Sequence, residues 1–438
     1  MVTLETLSIA SNLDPLSEIN WVKRDIVLKS PDGKVIFEQK DVECPDFWSE
    51  LSVKIAAHKY FYGKPGTPER ETSIKQLITR VARTITDWGT EQSYFLHVEE
   101  AEHFYADLCH ILVNQIAAFN SPVWFNVGTR EAPQCSACFL DSPEDTLESI
   151  EELYMTEMEI FRRGSGNGVN LSKLRGSMEK LSKGGFASGP IAFMKGLDFS
   201  CGAMKSGGKA RRGALMRILN IDHPDIEEFI DLKEHAEAMA QCLIAGGFDP
   251  DWEKGIYKDI PWQNANNSVR ITDDFMEAVE EDSEWHLIGR ADGKPTAIVQ
   301  ATELLRKLAK AAWISGCPGV QFHDTINHWN TCLNDGEINS SNPCSEYLHI
   351  DGTSCNLASI NLLKCVDDNY EIDTEKLDKV VRIMITAMDI VVDPAHYPSE
   401  RIAQKTKQYR TLGLGYANLG ALLMKRGLPY DSDAGRAL

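Results

Sequence analysis

Asn342-Pro343-Cys344-Ser345-Glu346, followed by Thr353-Ser354-Cys355-Asn356-Leu357-Ala358-Ser359, is the stretch on which the reading of this chain turns. It puts an amide, a thiol and a carboxylate within five residues, with a second thiol close behind. A thiol can carry a hydrogen atom, an amide can orient hydroxyl groups and a carboxylate can take a proton. Radical chemistry on a polyol needs all three.

Upstream, a third thiol of interest stands in Cys135-Ser136-Ala137-Cys138-Phe139-Leu140. The CxxC spacing raises zinc or a local redox pair. No second CxxC or spaced histidine pair completes a zinc set. A thioredoxin-like pair would open a helix after a strand, whereas this one leads into the β-like Phe139-Leu140. Cys138 is therefore expected to work with a thiol distant in sequence. Cys44, Cys109, Cys201, Cys242, Cys317, Cys332 and Cys365 lie singly in mixed contexts and read as small core residues.

Around these motifs the pattern alternates between short β-like runs and helices. Ala137–Leu140 is followed by a helix over 146–161 and a run at Gly168–Leu171. Further on come Leu215–Leu219, a helix over Pro224–Glu234, a helix over Thr302–Ser315 closed by Gly316, and Val320–Phe322. Such alternation predicts an α/β fold built on a mainly parallel sheet or barrel. The first 118 residues differ. A hairpin candidate, Asp25–Leu28 with Lys34–Phe37, precedes helical patterns over 47–62, 74–88 and 101–119. Two domains are expected: a mainly helical region over 1–118 and a catalytic domain over 119–438.

Glycine-rich segments invite a nucleotide reading. Gly164-Ser165-Gly166-Asn167-Gly168 fails as GxGxxG because Val169 stands where the third glycine belongs, and it follows a helix. Ser206-Gly207-Gly208-Lys209-Ala210-Arg211-Arg212-Gly213 fails as a Walker loop because Ala210 lacks the magnesium-binding hydroxyl. It leaves a glycine pair followed by Lys209, Arg211 and Arg212, which reads either as a solvated basic turn or as a mobile grip on phosphates. Lys183–Pro190 is a second adaptable loop.

Lys and Arg number 45 against 65 Asp and Glu, a net charge of −20, which argues against a duplex nucleic acid as partner. The N-terminus has no basic and apolar leader, and no stretch is long and apolar enough to span a bilayer. The expectation is a cytoplasmic protein whose eleven cysteines are reduced, with no membrane partner.

Asn120–Gly128, Ser136–Leu140, the two glycine loops at 183–190 and 206–213, Asn266-Asn267-Ser268-Val269-Arg270 and Asn342–Glu346 together resemble ribonucleotide reductase. Their order and wording are similar to the adenosylcobalamin-dependent (class II) large proteins, from about residue 45 to the last. The resemblance implies a ten-stranded α/β barrel in which a finger loop carries the radical cysteine into the centre. It implies Cys344 as the thiyl-radical cysteine, Asn342 and Glu346 as its polar companions, and Cys138 with Cys355 as the thiol pair that becomes a disulfide. Ser121, Pro122 and Ala137 would contact substrate. Asp145, Lys209, Arg211 and Arg212 would read a dNTP or ATP effector.

The implied activity is reduction of a ribonucleoside di- or triphosphate with adenosylcobalamin as cofactor and a thioredoxin-like or dithiol reductant. A homodimer and a complementing C-terminal fragment are partners the resemblance leaves open. Family members continue for several more barrel strands, so the barrel is expected to be incomplete and inactive alone. Two other readings remain: the large subunit of a metal-radical (class I) reductase, and a catalytically silent nucleotide-sensing fragment.

Overall fold

The computed structural model describes residues 9–30, 33–129, 132–204, 213–251 and 255–438. Among the described residues the first strands are β1 (Trp21–Lys29), β2 (Val35–Pro45), β3 (Ala117–Phe119), β4 (Cys138–Asp141), β5 (Gly166–Asn170), β6 (Ala214–Asn220) and β7 (Ala265–Ile271). They are followed by β8 (Glu284–Ile288), β9 (Pro295–Gln300), β10 (Gly319–Phe322), β11 (Ser340–Ser341), β12 (Leu348–His349), β13 (Ser354–Asn361) and β14 (Leu412–Ala417). The chain forms two compact units. One takes the residues up to Ala137 with Cys355–Tyr397 and Thr406–Leu438, and the other takes Cys138–Ser354 with Pro398–Lys405.

In the first unit β1 and β2 form the expected hairpin, with Trp21 opposite Pro45. The helix Ile74–Glu91 buries Ile74, Leu77, Ile78, Val81, Ala82 and Ile85, the three-and-four spacing of one apolar face. Ser73 starts it by accepting the Lys75 N–H on its hydroxyl. The helix expected over 101–119 stops earlier, since Val98–Val113 ends it and Gln115 takes a left-handed φ of 56°. That turn frees Ala117–Phe119 to pair antiparallel with β13, which also pairs parallel with β14. The helix expected over 47–62 is Glu50–Ile55 continued by a wider π turn, Ala56–Tyr60.

The second unit is built on a wholly parallel five-stranded sheet, in the order β10-β7-β6-β5-β4. Helices Leu147–Arg162, Gly189–Ala203 and Ile226–Ala245 connect successive strands, as the alternation predicted. The last of these outruns its expected end at Glu234, because Ala236 and Ala240 continue the buried stripe. Two-residue alternation divides the work of each strand. Val169, Leu219, Val269 and Ile271 join the helices in one hydrophobic core. On that face Glu157 of helix Leu147–Arg162 forms a bidentate pair with Arg217 of β6, at 2.7 and 2.8 Å, with both side chains 1% exposed. The opposite phase, Gly166, Gly168, Asn170, Asn266, Arg270 and Gln321, is turned toward residues 338–345.

None of the eleven cysteines is in a disulfide. Cys44, Cys109, Cys201 and Cys365 are buried as expected, and burial pushes the Cys109 thiol up to about 12. Cys242 is exposed and Cys317 and Cys332 are half-buried, so these three are not core fillers. Cys242 departs from expectation because it lies off the stripe of its helix that buries Ile226, Phe229, Ile230, Ala236 and Ala240.

Candidate active site

The strands β11 and β12 pair antiparallel, Ser340 with His349 and Ser341 with Leu348, and carry the Asn342–Tyr347 tip between them. Asparagine at the first and proline at the second place of a four-residue turn favour closure. Here Ser345 donates its N–H to the Asn342 carbonyl at 3.0 Å. Ser345 then adopts a φ of 64°, which redirects the chain toward Glu346 and Tyr347. Tyr347 returns its N–H to Asn342 Oδ1 at 2.9 Å and anchors its phenol on Thr353 Oγ1 at 2.8 Å.

The approach to this tip is held by charge and amide donors. Arg270 donates to the carbonyls of Ile338 and Asn339, at 2.9 and 3.2 Å, and Asn170 donates to Asn339 O at 2.8 Å. Burial pulls the Arg270 guanidinium down to about 10. Asp351 accepts from the Ser340 hydroxyl at 2.7 Å, and burial pushes its carboxyl above the usual range against the effect of that bond.

At the tip three of the sequence-predicted residues meet. Asn342, 1% exposed, donates from Nδ2 to Cys138 Sγ at 3.0 Å across 204 positions of chain. The Cys138 thiol in turn lies 3.8 Å from Glu346 Oε1, its acceptor. Cys344 is exposed at the turn, and Cys138 is buried at the start of β4. An amide donor, a thiol and a carboxylate thus converge from two distant segments. Such a group can hold a hydroxylated ligand, take a proton and exchange hydrogen with sulfur.

The first unit gathers the others. Ala137 donates its N–H to the Cys355 carbonyl at 3.0 Å. Asn120 caps the helix Ser121–Asn126, placing Pro122 in its first turn, and its Nδ2 donates to Asn356 Oδ1 at 2.9 Å. Ser121 Oγ lies 3.1 Å from the Tyr60 hydroxyl. Ser121, Pro122, Ala137 and Cys355 therefore share one neighbourhood of β13, while Cys135 is buried with its thiol pushed up by that burial.

The residues expected to read an effector are only partly visible. Lys209, Arg211 and Arg212 lie outside the described residues. Asp145 is engaged by Arg175, whose N–H and Nε reach the two carboxylate oxygens at 3.2 and 2.6 Å. A cavity of about 350 Å³ beside the 183–190 segment is lined by Ser188, Lys195, Asp225, Glu228, His235 and Trp262 among others, and Asp145 is not part of it.

Sequence reasoning singled out neither Gln321 nor Arg175, and it quoted Gly166, Gly168 and Asn266 without giving them a place at this site. A Cβ on Gly168 would fall 1.5 Å from the Ser341 carbonyl, and one on Gly166 would fall 2.8 Å from Pro343 Cγ. The glycine run that looked like a failed phosphate loop is a strand on which the hairpin lies directly. Glycine inside a strand is the signal that could have shown this close backbone approach.

Comparison with known proteins extends these observations. Residues 136–438 match the family described as ribonucleotide reductase, barrel domain, and residues 22–115 match class II vitamin B12-dependent ribonucleotide reductase. A vitamin B12-dependent ribonucleotide reductase of Streptomyces avermitilis is 49% identical over 99% of this chain and 46% of its own length. Its namesake in Rhodopirellula baltica is 45% identical over 97% of the chain and 44% of its own length. A vitamin B12-dependent ribonucleoside-diphosphate reductase of Mycobacterium tuberculosis is 35% identical over 88% of the chain and 51% of its own length. The chain spans about half the length of the curated relatives it matches.

Proposed function

We propose a function from one premise: the chain belongs to the ribonucleotide reductase family, in its vitamin B12-dependent class. The complete protein reduces ribonucleoside di- or triphosphates to deoxyribonucleotides for DNA synthesis, and this chain supplies the residues of the radical step. The observation that carries the reading is the convergence of Asn342 and Glu346 on Cys138, at 3.0 and 3.8 Å, beside an exposed Cys344.

In this reading Cys344, as a thiyl radical, takes the hydrogen atom from ribose C3′, giving an S–H and a carbon radical. Glu346 takes the 3′-hydroxyl proton, and Asn342 orients the hydroxyl groups. The 2′-hydroxyl leaves as water with a proton from a thiol. Cys138 and Cys355 supply two electrons and two protons in all as they close a disulfide, one proton leaving in the water and one hydrogen adding at C2′ in place of the lost hydroxyl. Glu346 returns its proton to the 3′ oxygen and Cys344 returns the hydrogen atom to C3′. The exposure of Cys344 at the hairpin tip fits a radical source that must approach its sulfur. Adenosylcobalamin, when bound, supplies the radical that oxidises the Cys344 thiol.

Ser121, Pro122 and Ala137 are assigned to substrate contact, since the turn carrying Ser121 and Pro122 is tied to Asn356 beside Cys355 and Ala137 donates to the Cys355 carbonyl. Asp145 is assigned, with Lys209, Arg211 and Arg212, to a dNTP or ATP effector. A dithiol protein is the assigned reductant, and a cytoplasmic setting suits thiols that must be re-reduced. Homodimer formation and complementation by a C-terminal fragment belong to the same proposal. The test is one turnover of the complete protein without reductant, followed by peptide mapping. The expected product joins Cys138 to Cys355. A disulfide between Cys135 and Cys138 instead would reject the assignment.

A further inference from the structure

Two side-chain amides on adjacent strands hold the two residues that flank Cys344. Asn266 on β7 donates from Nδ2 to the Pro343 carbonyl at 2.8 Å. Gln321 on β10 donates from Nε2 to Ser341 Oγ at 2.7 Å and to Ser345 Oγ at 3.1 Å, and those hydroxyls lie 3.3 Å apart. Pro343 and Ser345 are the immediate neighbours of Cys344 on either side. Gln321 is 6% exposed, whereas Asn266 is reached by solvent.

A buried amide is costly unless its bonds are needed, and on this polar face of the sheet Gln321 commits its Nε2 to the two serine hydroxyls. Ser345 also sits in the left-handed region, at a φ of 64°, which a serine does not favour without support. The Gln321 bond to its hydroxyl supplies that support. Without it the turn could relax, and the Cys344 sulfur would move even with β11 and β12 still paired.

We infer that Gln321, assisted by Asn266, is a positioning residue that fixes the Cys344 sulfur through the serine hydroxyls on both sides of the turn. The inference rests on the assignment of Cys344 as the hydrogen-abstracting residue. Gln321 touches neither substrate nor the reacting atoms in this role. Its effect reaches chemistry through geometry, where a displacement of about 1 Å can reduce a rate by about 10²-fold.

Two readouts test it. In the 438-residue chain, amide hydrogen exchange of peptides covering 338–350 is compared with peptides from β6. Gln321→Met, of similar length but without donors, is expected to speed exchange at the hairpin about tenfold and leave β6 unchanged. Gln321→Glu can accept from both serine hydroxyls and should restore most of the protection. In the complete reductase, Gln321→Met should lower kcat by about 10²-fold with KM within about twofold, and Gln321→Glu should recover part of the loss.

Unchanged hairpin exchange in Gln321→Met would overturn the inference. So would faster exchange that spreads equally to β6, which would make Gln321 a general stabilising residue. A loosened hairpin with normal kcat would also overturn it. If the wild-type complete protein forms no deoxyribonucleotide, the proposed function fails instead, while the exchange experiment still decides whether Gln321 holds the loop.

Discussion

The hairpin that carries Cys344 and the neighbourhood of Asp145 belong to the same compact unit but are held in different ways. Around Cys344, Asn342 is 1% exposed, Ser340 and Ser341 are fully buried, and glycines at 166 and 168 clear space for the backbone. Asp145 and Arg175 form a pair in which each side chain is 30% exposed. Gly184 and Gly185, in the 183–190 segment of the same unit, have open space around them and positive φ values of 91° and 85°. One region is fixed by packing and many short bonds, and the other by backbone freedom and solvent-screened charge. Under the proposed function, chemistry on a sugar needs the first kind of construction, and reading different effectors suits the second.

The sharpest way to break this contrast is at Cys344 itself. In the complete reductase, Cys344→Ser is expected to abolish deoxyribonucleotide formation and leave nucleotide affinity within about twofold. An O–H bond is too strong for the hydrogen exchange, so the hydroxyl cannot stand in for the thiol. Product assays combined with equilibrium nucleotide binding check it, and substantial turnover by the serine variant would remove the radical assignment.

Next in size is the buried pair behind the sheet. Replacing Glu157 by Gln leaves Arg217 charged and buried without its carboxylate, which typically costs about 3–5 kcal/mol. Chemical denaturation of the 438-residue chain should show that loss. Asp145→Asn is expected to cost at most about 1 kcal/mol, because a half-buried pair that solvent still screens contributes little. Its effect should appear in dNTP binding, weakened about tenfold, and equal stability losses in the two variants would erase the distinction drawn between buried and screened charge.

Gly168→Ala probes the packing directly. Its methyl would meet the Ser341 carbonyl at 1.5 Å, so the hairpin must move, at a cost of about 1–3 kcal/mol. Gly184→Ala meets no atom and should cost about 1–2 kcal/mol through its left-handed backbone alone. Hydrogen exchange separates the two: the first variant should deprotect 340–349 and the second should not.

These differences also decide what the sequence could reveal. Asn342, Cys344, Glu346, Cys138 and Cys355 stand in short motifs whose residue types already suggest their chemistry. The parallel α/β alternation was legible for the same reason, since burial on one face imposes a period. The roles of Gln321 and of Asn266, the latter quoted only as part of its motif, were not legible, because a single amide on a strand has no signature until its partner is known. The helix ending at Val113 was overextended because Ile116 and Phe119 prolong its apolar pattern, and tertiary pairing with β13 overrides that propensity. Arg175 was missed because a cation 30 positions from its carboxylate gives no local signal.

The smallest expected effect concerns a buried histidine of the second unit. His223 is fully buried, with Nε2 2.8 Å from the Leu174 carbonyl and Nδ1 accepting the Asp225 N–H at 3.0 Å. That arrangement fits the neutral ring, with its proton on Nε2. Burial holds its pKa below the ordinary 6.5, assisted by Arg290, while the Leu174 carbonyl and the carboxylates of Asp225 and Asp222 act the other way. A base whose folded pKa is lowered binds fewer protons folded than unfolded near that range, so its contribution is present above about 6.5 and is lost as pH falls through the lowered folded value. Each unit of separation corresponds to about 1.4 kcal/mol. The midpoint of thermal unfolding should therefore fall as pH is lowered from about 6.5 to 5, and more steeply in the wild-type chain than in His223→Gln, which cannot take up the proton. Asp225 also accepts the Ser177 N–H and hydroxyl at 3.0 Å, so a protonated His223, unable to accept from the Asp225 N–H, should loosen that turn before the Cys344 hairpin yields. Exchange measured at the two sites between pH 6.5 and 5 checks this order, and equal acid sensitivity of the two peptides would mean that the two regions unfold as one.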